Sequence, residues 1–201
     1  MTQRTTGSRQ PGSRSRAIGL RPAEPRPADS RTAGSRTTER WYGTPFGYGR
    51  VELDGDLPVA VELPDPAAQP AAGIAVDDGL WPALLARYFA GERVDFPLDV
   101  EAYVEHLGCT AFEADVLRAL ARVPYGRAVS YRDLARDAGH PTAWRATGTV
   151  MARNELPIVL PCHRVTRSDG TLGFYGNDPA WKRRLLELEG VLLPETEGAR
   201  R

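Results

Sequence analysis

The sequence predicts an α+β fold in two parts, a small sheet-containing N-terminal half and a helical C-terminal half with a helix-turn-helix. Three observations carry that prediction. Gly49-Arg50-Val51-Glu52-Leu53 and Val59-Ala60-Val61-Glu62-Leu63 alternate or run apolar around Asp54-Gly55-Asp56, the pattern of a β-hairpin with a slightly long turn. From Thr110 onward the apolar residues recur at helical spacing, as in Phe112, Val116, Leu117 and Leu120. Ser130, Gly139 and Pro141 then stand where a helix start, a tight turn and a second helix start require them.

Taken in order, residues 1–39 are rich in Arg, Ser, Thr, Gly and Pro, with few apolar residues. Such a composition cannot bury enough surface to offset the entropy of ordering, so this stretch is expected to be a disordered tail. The next reading is an arginine arm gripping DNA phosphates without regard to sequence, and the last an organelle transit peptide. The folded part is expected from Trp41, giving a scaffold domain over 40–105 and a second domain over 106–193, with a short tail at 194–201. Pro64 to Ala72 reads as a loop, and Gly73-Ile74-Ala75-Val76 as a short third strand. A helix follows with Leu80, Leu84, Leu85, Tyr88 and Phe89 on one face and Gly91 near its end.

In the second half, the helix of Phe112 to Leu120 stops at Pro124-Tyr125-Gly126. Ser130-Tyr131-Arg132-Asp133 has the form of a capping box, opening a helix that runs to Gly139. His140-Pro141 places a proline at the first position of a second helix over 142–153. Helix, short turn and helix is the geometry whose second member can enter a DNA groove, although generic helical hairpins share it. Ala143, Ala146 and Gly148 would let a partner approach closely, with Arg145 among them.

Composition narrows the function classes. Among 201 residues there are two cysteines, Cys109 and Cys162, which argues against a disulfide scaffold and suits a reducing, cytoplasmic setting. No apolar stretch approaches the ~20 residues of a membrane span, and no signal-peptide core follows the N-terminus. The net charge is zero, but residues 1–40 hold nine arginines against Glu24, Asp29 and Glu39, a net of +6. Lys182 is the single lysine.

The chemistry concentrates at Pro161-Cys162-His163-Arg164-Val165. A thiol attacks as thiolate, and a free cysteine has a pKa near ~8.5, so it needs a basic or cationic neighbour. His163 could serve, directly or through a water, with a carboxylate fixing its tautomer. The apolar run Leu156 to Leu160 reads as a buried strand delivering Cys162 to a pocket. The alternative is a buried core thiol without chemistry.

The stretches Thr110-Ala-Phe112, Val123-Pro-Tyr-Gly126, Val129-Ser-Tyr131, Leu134-Ala135, Arg145-Ala-Thr-Gly148, Asn154, Leu160-Pro-Cys-His-Arg-Val165, Ser168-Asp-Gly170 and Lys182 through Glu189 occur in that order. In this order they resemble the C-terminal domain of the methylated-DNA–protein-cysteine methyltransferases, the 6-O-methylguanine repair proteins. Thr44-Pro-Phe-Gly47 and Tyr88-Phe-Ala-Gly91 with Phe96 extend a fainter likeness into the first half, so that it covers roughly residues 42–192.

The resemblance implies a ribonuclease-H-like first domain, a winged-helix-like second domain, and irreversible transfer of an alkyl group from guanine to Cys162. His163, oriented by Glu189, would take the thiol proton through a water. Tyr131 would hydrogen-bond or protonate the departing guanine, and Arg145 would fill the gap left by the flipped base. Asn154 would bridge the recognition helix and the active-site strand by side-chain hydrogen bonds. Tyr175 and the Gly176 amide would close over the base, and the carbonyls of Cys162 and Val165 would read its amino edge. The resemblance implies no cofactor and no metal: Cys109 and His106 do not make the zinc site of some relatives. The expected partner is double-stranded DNA carrying alkylated guanine, bound by a monomer in a prokaryotic cytoplasm and nucleoid.

The sequence departs from the family pattern at four places: Glu113 for glutamine, Trp144 for a small residue, Glu155-Leu156 before Pro157, and Gly176-Asn177-Asp178-Pro179 where glycines are usual. None removes a proposed catalytic group. Three rivals remain: a lesion-binding protein that transfers nothing, a regulator using the helix-turn-helix, and a cysteine hydrolase.

Overall fold

The computed structural model describes residues 37–173, 175 and 179–192. The arginine-rich stretch through residue 36, Gly176, Asn177, Asp178 and the 194–201 tail lie outside the described residues. The fold is mixed α/β, with a small antiparallel sheet and six α-helices among the described residues. Strands β1 (Thr38–Thr44), β2 (Gly47–Asp54) and β3 (Leu57–Asp65) form the sheet in the order β1-β2-β3. The hairpin between β2 and β3 turns on Gly55 and Asp56 alone, since Asp54 already pairs with Leu57. It is tighter than the sequence suggested, and the strands are longer.

β1 has no counterpart among the expected elements, and its Thr38 and Glu39 belong to the stretch expected to be a disordered tail. Its Thr38, Glu39 and Arg40 are exposed, so it has no apolar alternation to read. Tyr42 is the exception: fully buried, it donates from its hydroxyl to the Glu62 carbonyl at 2.6 Å, passing over Gly49. A Cβ on Gly49 would lie 2.3 Å from the Tyr42 ring, so only glycine allows that crossing. The expected third strand at residues 73–76 reduces to a single parallel bridge between Val76 and Trp41. Gly73, with φ +87, turns the chain there instead of extending it.

Helix α1 (Leu80–Phe89) buries Trp81, Leu85, Tyr88 and Phe89, while Leu80 is exposed. Leu85, Tyr88 and Phe89 thus hold the expected face with Leu84 half-buried, and only its first position differs, Trp81 taking the place expected for Leu80. Trp81 gains its place through an indole N–H donated to the Asp56 carbonyl at 3.0 Å. Helix α2 (Val100–Leu107) likewise has no counterpart among the expected elements. Asp99 caps it by accepting from the Ala102 amide, and Gly108 ends it in the left-handed region. The boundary expected between residues 105 and 106 falls inside this helix.

Helix α3 (Ala111–Ala121) opens with a capping box between Thr110 and Glu113, which gives Glu113 a structural role. Strand β4 (Val129–Ser130) leads directly into α4 (Tyr131–Asp137), capped by Ser130. The helix stops in a Schellman turn: Gly139 has φ +83, and the His140 amide donates to the Ala135 carbonyl at 2.8 Å. Helix α5 (Trp144–Ala152) starts two residues later than expected, so Pro141 lies in the turn and not at the first helical position.

The Leu156–Leu160 segment is buried but is not a strand. It is a chain of turns in which the Leu160 amide donates to the Leu156 carbonyl and Ile158 takes φ +76. Pro157 lacks the N–H that a central strand needs, which explains the outcome. A single 3-10 turn, Cys162–Arg164, passes into β5 (Val165–Thr166), which pairs in parallel with β4. Helix α6 (Pro179–Leu188) closes the fold, and Glu189 follows it immediately. One apolar cluster runs through both halves, from Tyr42 in the sheet to Leu185 in α6.

Candidate active site

The β4/β5 pair decides which side chains meet. Tyr131 follows β4 and Cys162 precedes β5, so two parallel bridges bring them to one cavity. Asn154, just beyond α5, fixes the turn that carries the thiol. Its Oδ1 accepts from the Leu156 amide at 3.1 Å, and its Nδ2 donates to the Leu160 carbonyl at 2.9 Å and to Cys162 Sγ at 3.0 Å. Three bonds from one side-chain amide thus tie both ends of a buried non-helical segment to the thiol. Burial pushes the Cys162 thiol up from its ordinary value. The Asn154 amide, the positive charge of Lys182 and the Tyr175 hydroxyl pull the other way by favouring the thiolate.

Behind the thiol lies a buried polar network centred on Glu189. Its carboxylate accepts from His163 Nε2 at 2.7 Å, the Tyr88 hydroxyl at 2.7 Å, the Gly126 amide at 3.0 Å, and Arg164 through Nε at 2.9 Å and Nη2 at 3.0 Å. Arg164 is further tied to the Val123 carbonyl at 2.6 Å. Burial alone would raise the Glu189 pKa, but the bonds from His163 and Arg164 outweigh it and bring it to about 2. His163 is fully buried, and desolvation holds its pKa below the usual histidine value although Glu189 opposes the shift. Nε2 therefore carries the proton toward Glu189, and Nδ1 is the basic nitrogen. Nδ1 has no hydrogen-bond partner among the described residues.

The cavity, about 170 Å³, is lined by Cys162, Asn154, Tyr131, Gly148, Tyr175 and, from the N-terminal sheet, Leu63. Burial raises the Tyr131 pKa, so its phenol keeps its proton and remains a donor. Gly148 of α5 packs against the Tyr131 ring, where a Cβ would stand 3.9 Å from it. The buried Tyr175 hydroxyl has no partner meeting hydrogen-bond geometry among the described residues. Lys182 is fully buried; it donates to the Val165 carbonyl and lies 5.6 Å from the centre of the Tyr131 ring and 6.0 Å from that of Tyr175. Desolvation lowers its pKa to about 8.

Residues 111–191 match the family model described as 6-O-methylguanine DNA methyltransferase, DNA binding domain. A methylated-DNA–protein-cysteine methyltransferase of Methanopyrus kandleri is 40% identical over 134 residues, covering 66% of this chain and 95% of that protein. The chain belongs to the methylated-DNA–protein-cysteine methyltransferase family. The constitutive Bacillus subtilis member is 41% identical, and the match spans 65% of its length. The structure of Mycobacterium tuberculosis OGT in complex with DNA superposes with a TM-score of 0.60 at 33% identity, covering 76% of this chain and 92% of that one. The O6-methylguanine-DNA methyltransferase of Pyrococcus kodakaraensis aligns over 77% of this chain and 100% of its own, with a TM-score of 0.55 at 26% identity.

Of the residues that the resemblance singles out, Cys162, His163, Glu189, Val165 and Tyr175 are buried about one centre, with the half-buried Tyr131 and Asn154 beside the thiol. Arg145 stands apart on the exposed start of α5, its guanidinium 4.3 Å above the Trp144 ring. Gly176 lies outside the described residues. Sequence reasoning missed Tyr88, Arg164 and Leu63. Tyr88 fits the apolar face of its helix, and Arg164 carries no signal apart from its motif. Leu63 carried no signal beyond its place in an apolar strand. No described helix is long and apolar enough to cross a membrane.

Proposed function

We propose that this protein repairs DNA by direct reversal, moving the alkyl group of a 6-O-alkylguanine irreversibly onto Cys162. The observation that carries the reading is the Cys162 thiol at the wall of a cavity, held by Asn154 and backed by the buried His163–Glu189 pair. His163 Nδ1, basic and without a protein partner among the described residues, takes the thiol proton through a water. The thiolate attacks the alkyl carbon; the S–C bond forms as the C–O bond breaks. Tyr131 donates a hydrogen bond or its proton to the departing guanine, so that the base leaves neutral. The reaction needs no cofactor because the DNA is the donor.

A guanine paired in a duplex cannot reach a buried thiol, so the base is flipped into the cavity. Arg145, on the helix-turn-helix of α4 and α5, fills the gap it leaves. Tyr175, with the Gly176 amide, covers the flipped base, and the Val165 and Cys162 carbonyls read its amino edge. Val165 can do so while accepting from Lys182, since a carbonyl has two lone pairs.

The finer architecture belongs to the same proposal. It comprises a ribonuclease-H-like unit around the three-stranded sheet, and a winged-helix-like unit around α4 and α5. The protein is proposed to act as a monomer in the cytoplasm, on the nucleoid. Titration of the protein with a methylated duplex tests the function: loss of 6-O-methylguanine should stop at one lesion per protein molecule, and Cys162→Ser should remove none. Continued turnover past one equivalent would contradict it.

A further inference from the structure

Four large apolar side chains are exposed among the described residues: Ile74, Leu80, Trp144 and Leu192. Trp144 is the one aromatic among them, and it is the first residue of α5, beside Arg145. An indole left 37% exposed at the tip of a helix-turn-helix has no role in the core. The Arg145 guanidinium lies 4.3 Å over that ring. Arg145 makes no ion pair among the described residues, and the first turn of α5 holds no acidic side chain to draw it aside.

From this juxtaposition we infer that Trp144 is a positioning residue for Arg145, holding its guanidinium extended for entry into the base stack. The inference rests on the reading of Arg145 as the residue that fills the gap. A free arginine samples many rotamers, and each must be lost as the side chain inserts. A planar guanidinium resting on an indole has lost part of that freedom beforehand. In the complex the same ring stays against the edge of the inserted side chain, and it offers an apolar face to the sugars and base edges that border the gap. Aromatic and apolar side chains at a groove commonly support unstacking in this way.

The test compares Trp144→Ala, Trp144→Phe and Arg145→Ala with the parent protein. Two quantities are read for each: the second-order rate of methyl transfer from a duplex carrying one 6-O-methylguanine, and the affinity for the same duplex undamaged. Loss of a surface cation–π contact predicts transfer slower by roughly two- to five-fold in Trp144→Ala, with affinity for undamaged duplex unchanged. Trp144→Phe should recover most of the rate, and Arg145→Ala should fall below both. An unchanged or faster rate in Trp144→Ala overturns the inference. So does an equal fall in transfer and in undamaged-duplex affinity, which marks a merely structural side chain, or a failure of phenylalanine to restore the rate. No transfer by the parent protein overturns the proposed function itself, a result distinct from all of these.

Discussion

Replacing Glu189 by glutamine should destabilise the protein by about 3 kcal/mol at neutral pH. The carboxylate receives bonds from His163, Tyr88, Gly126 and Arg164 within the core, and a glutamine presents an N–H₂ to donors that need an acceptor. Removing one partner of a buried, hydrogen-bonded ion pair costs about 3–5 kcal/mol. A second route agrees: the carboxyl pKa falls from 4.5 to about 2 on folding, and each unit is worth about 1.4 kcal/mol. Because the folded value is the lower one, this stabilisation is present above pH 4.5 and is lost as pH falls toward 2. The gap between parent and variant should therefore narrow from about 3 kcal/mol at pH 7 to about 2 kcal/mol at pH 3.5. Urea unfolding followed by circular dichroism reads both values. With a slope near 2 kcal/mol per molar, the midpoint should drop by about 1.5 M at pH 7. Equal midpoints, or a gap that does not narrow in acid, would refute a central role for this carboxylate in the core.

Asn154→Ala should cost about 1–3 kcal/mol, since it strands the Leu156 amide in the core, while the Leu160 carbonyl keeps its bond from the Cys162 amide. It should also slow methyl transfer by about tenfold or more by removing the donor to Sγ, which single-turnover kinetics would read. Lys182 gives a test of opposite sign in pH. Its folded pKa, about 8, lies below the 10.5 of the free side chain, so the unfolded state holds more protons and stability rises with pH between them. A gain of about 2 kcal/mol between pH 7.5 and 9.5 is expected, absent in Lys182→Met. The transfer rate should rise with pH through the thiol ionisation, along a profile displaced above that of free cysteine because burial raises the Cys162 pKa; a flat profile would contradict a rate-limiting thiolate.

Much of the centre was legible because its chemistry is local in sequence. Cys162 and His163 are adjacent, and Ser130 and Gly139 mark a helix by rules that depend on neighbouring residues. What escaped depends on contacts between distant segments. Tyr88 follows the apolar spacing of α1, and nothing in that spacing reveals that its hydroxyl reaches a carboxylate 101 residues away. Leu63 reaches the cavity because the Val61 amide donates to the Glu155 carbonyl at 2.8 Å, pinning β3 beside the active-site turn. The Leu156–Leu160 run misled because apolar content reports burial and not conformation. Its conformation is set by Pro157 and by the three bonds of Asn154. β1 and α2 were missed for simpler reasons: one is an edge strand with charged residues, the other spans only eight residues.

The most direct test of the account is the intact mass of the protein after incubation with a short duplex carrying one 6-O-methylguanine. A gain of one methyl group is expected, located on the Cys162 peptide and absent in Cys162→Ser. Tight binding to the damaged duplex without any change in mass would contradict it, leaving a protein that recognises the lesion and transfers nothing.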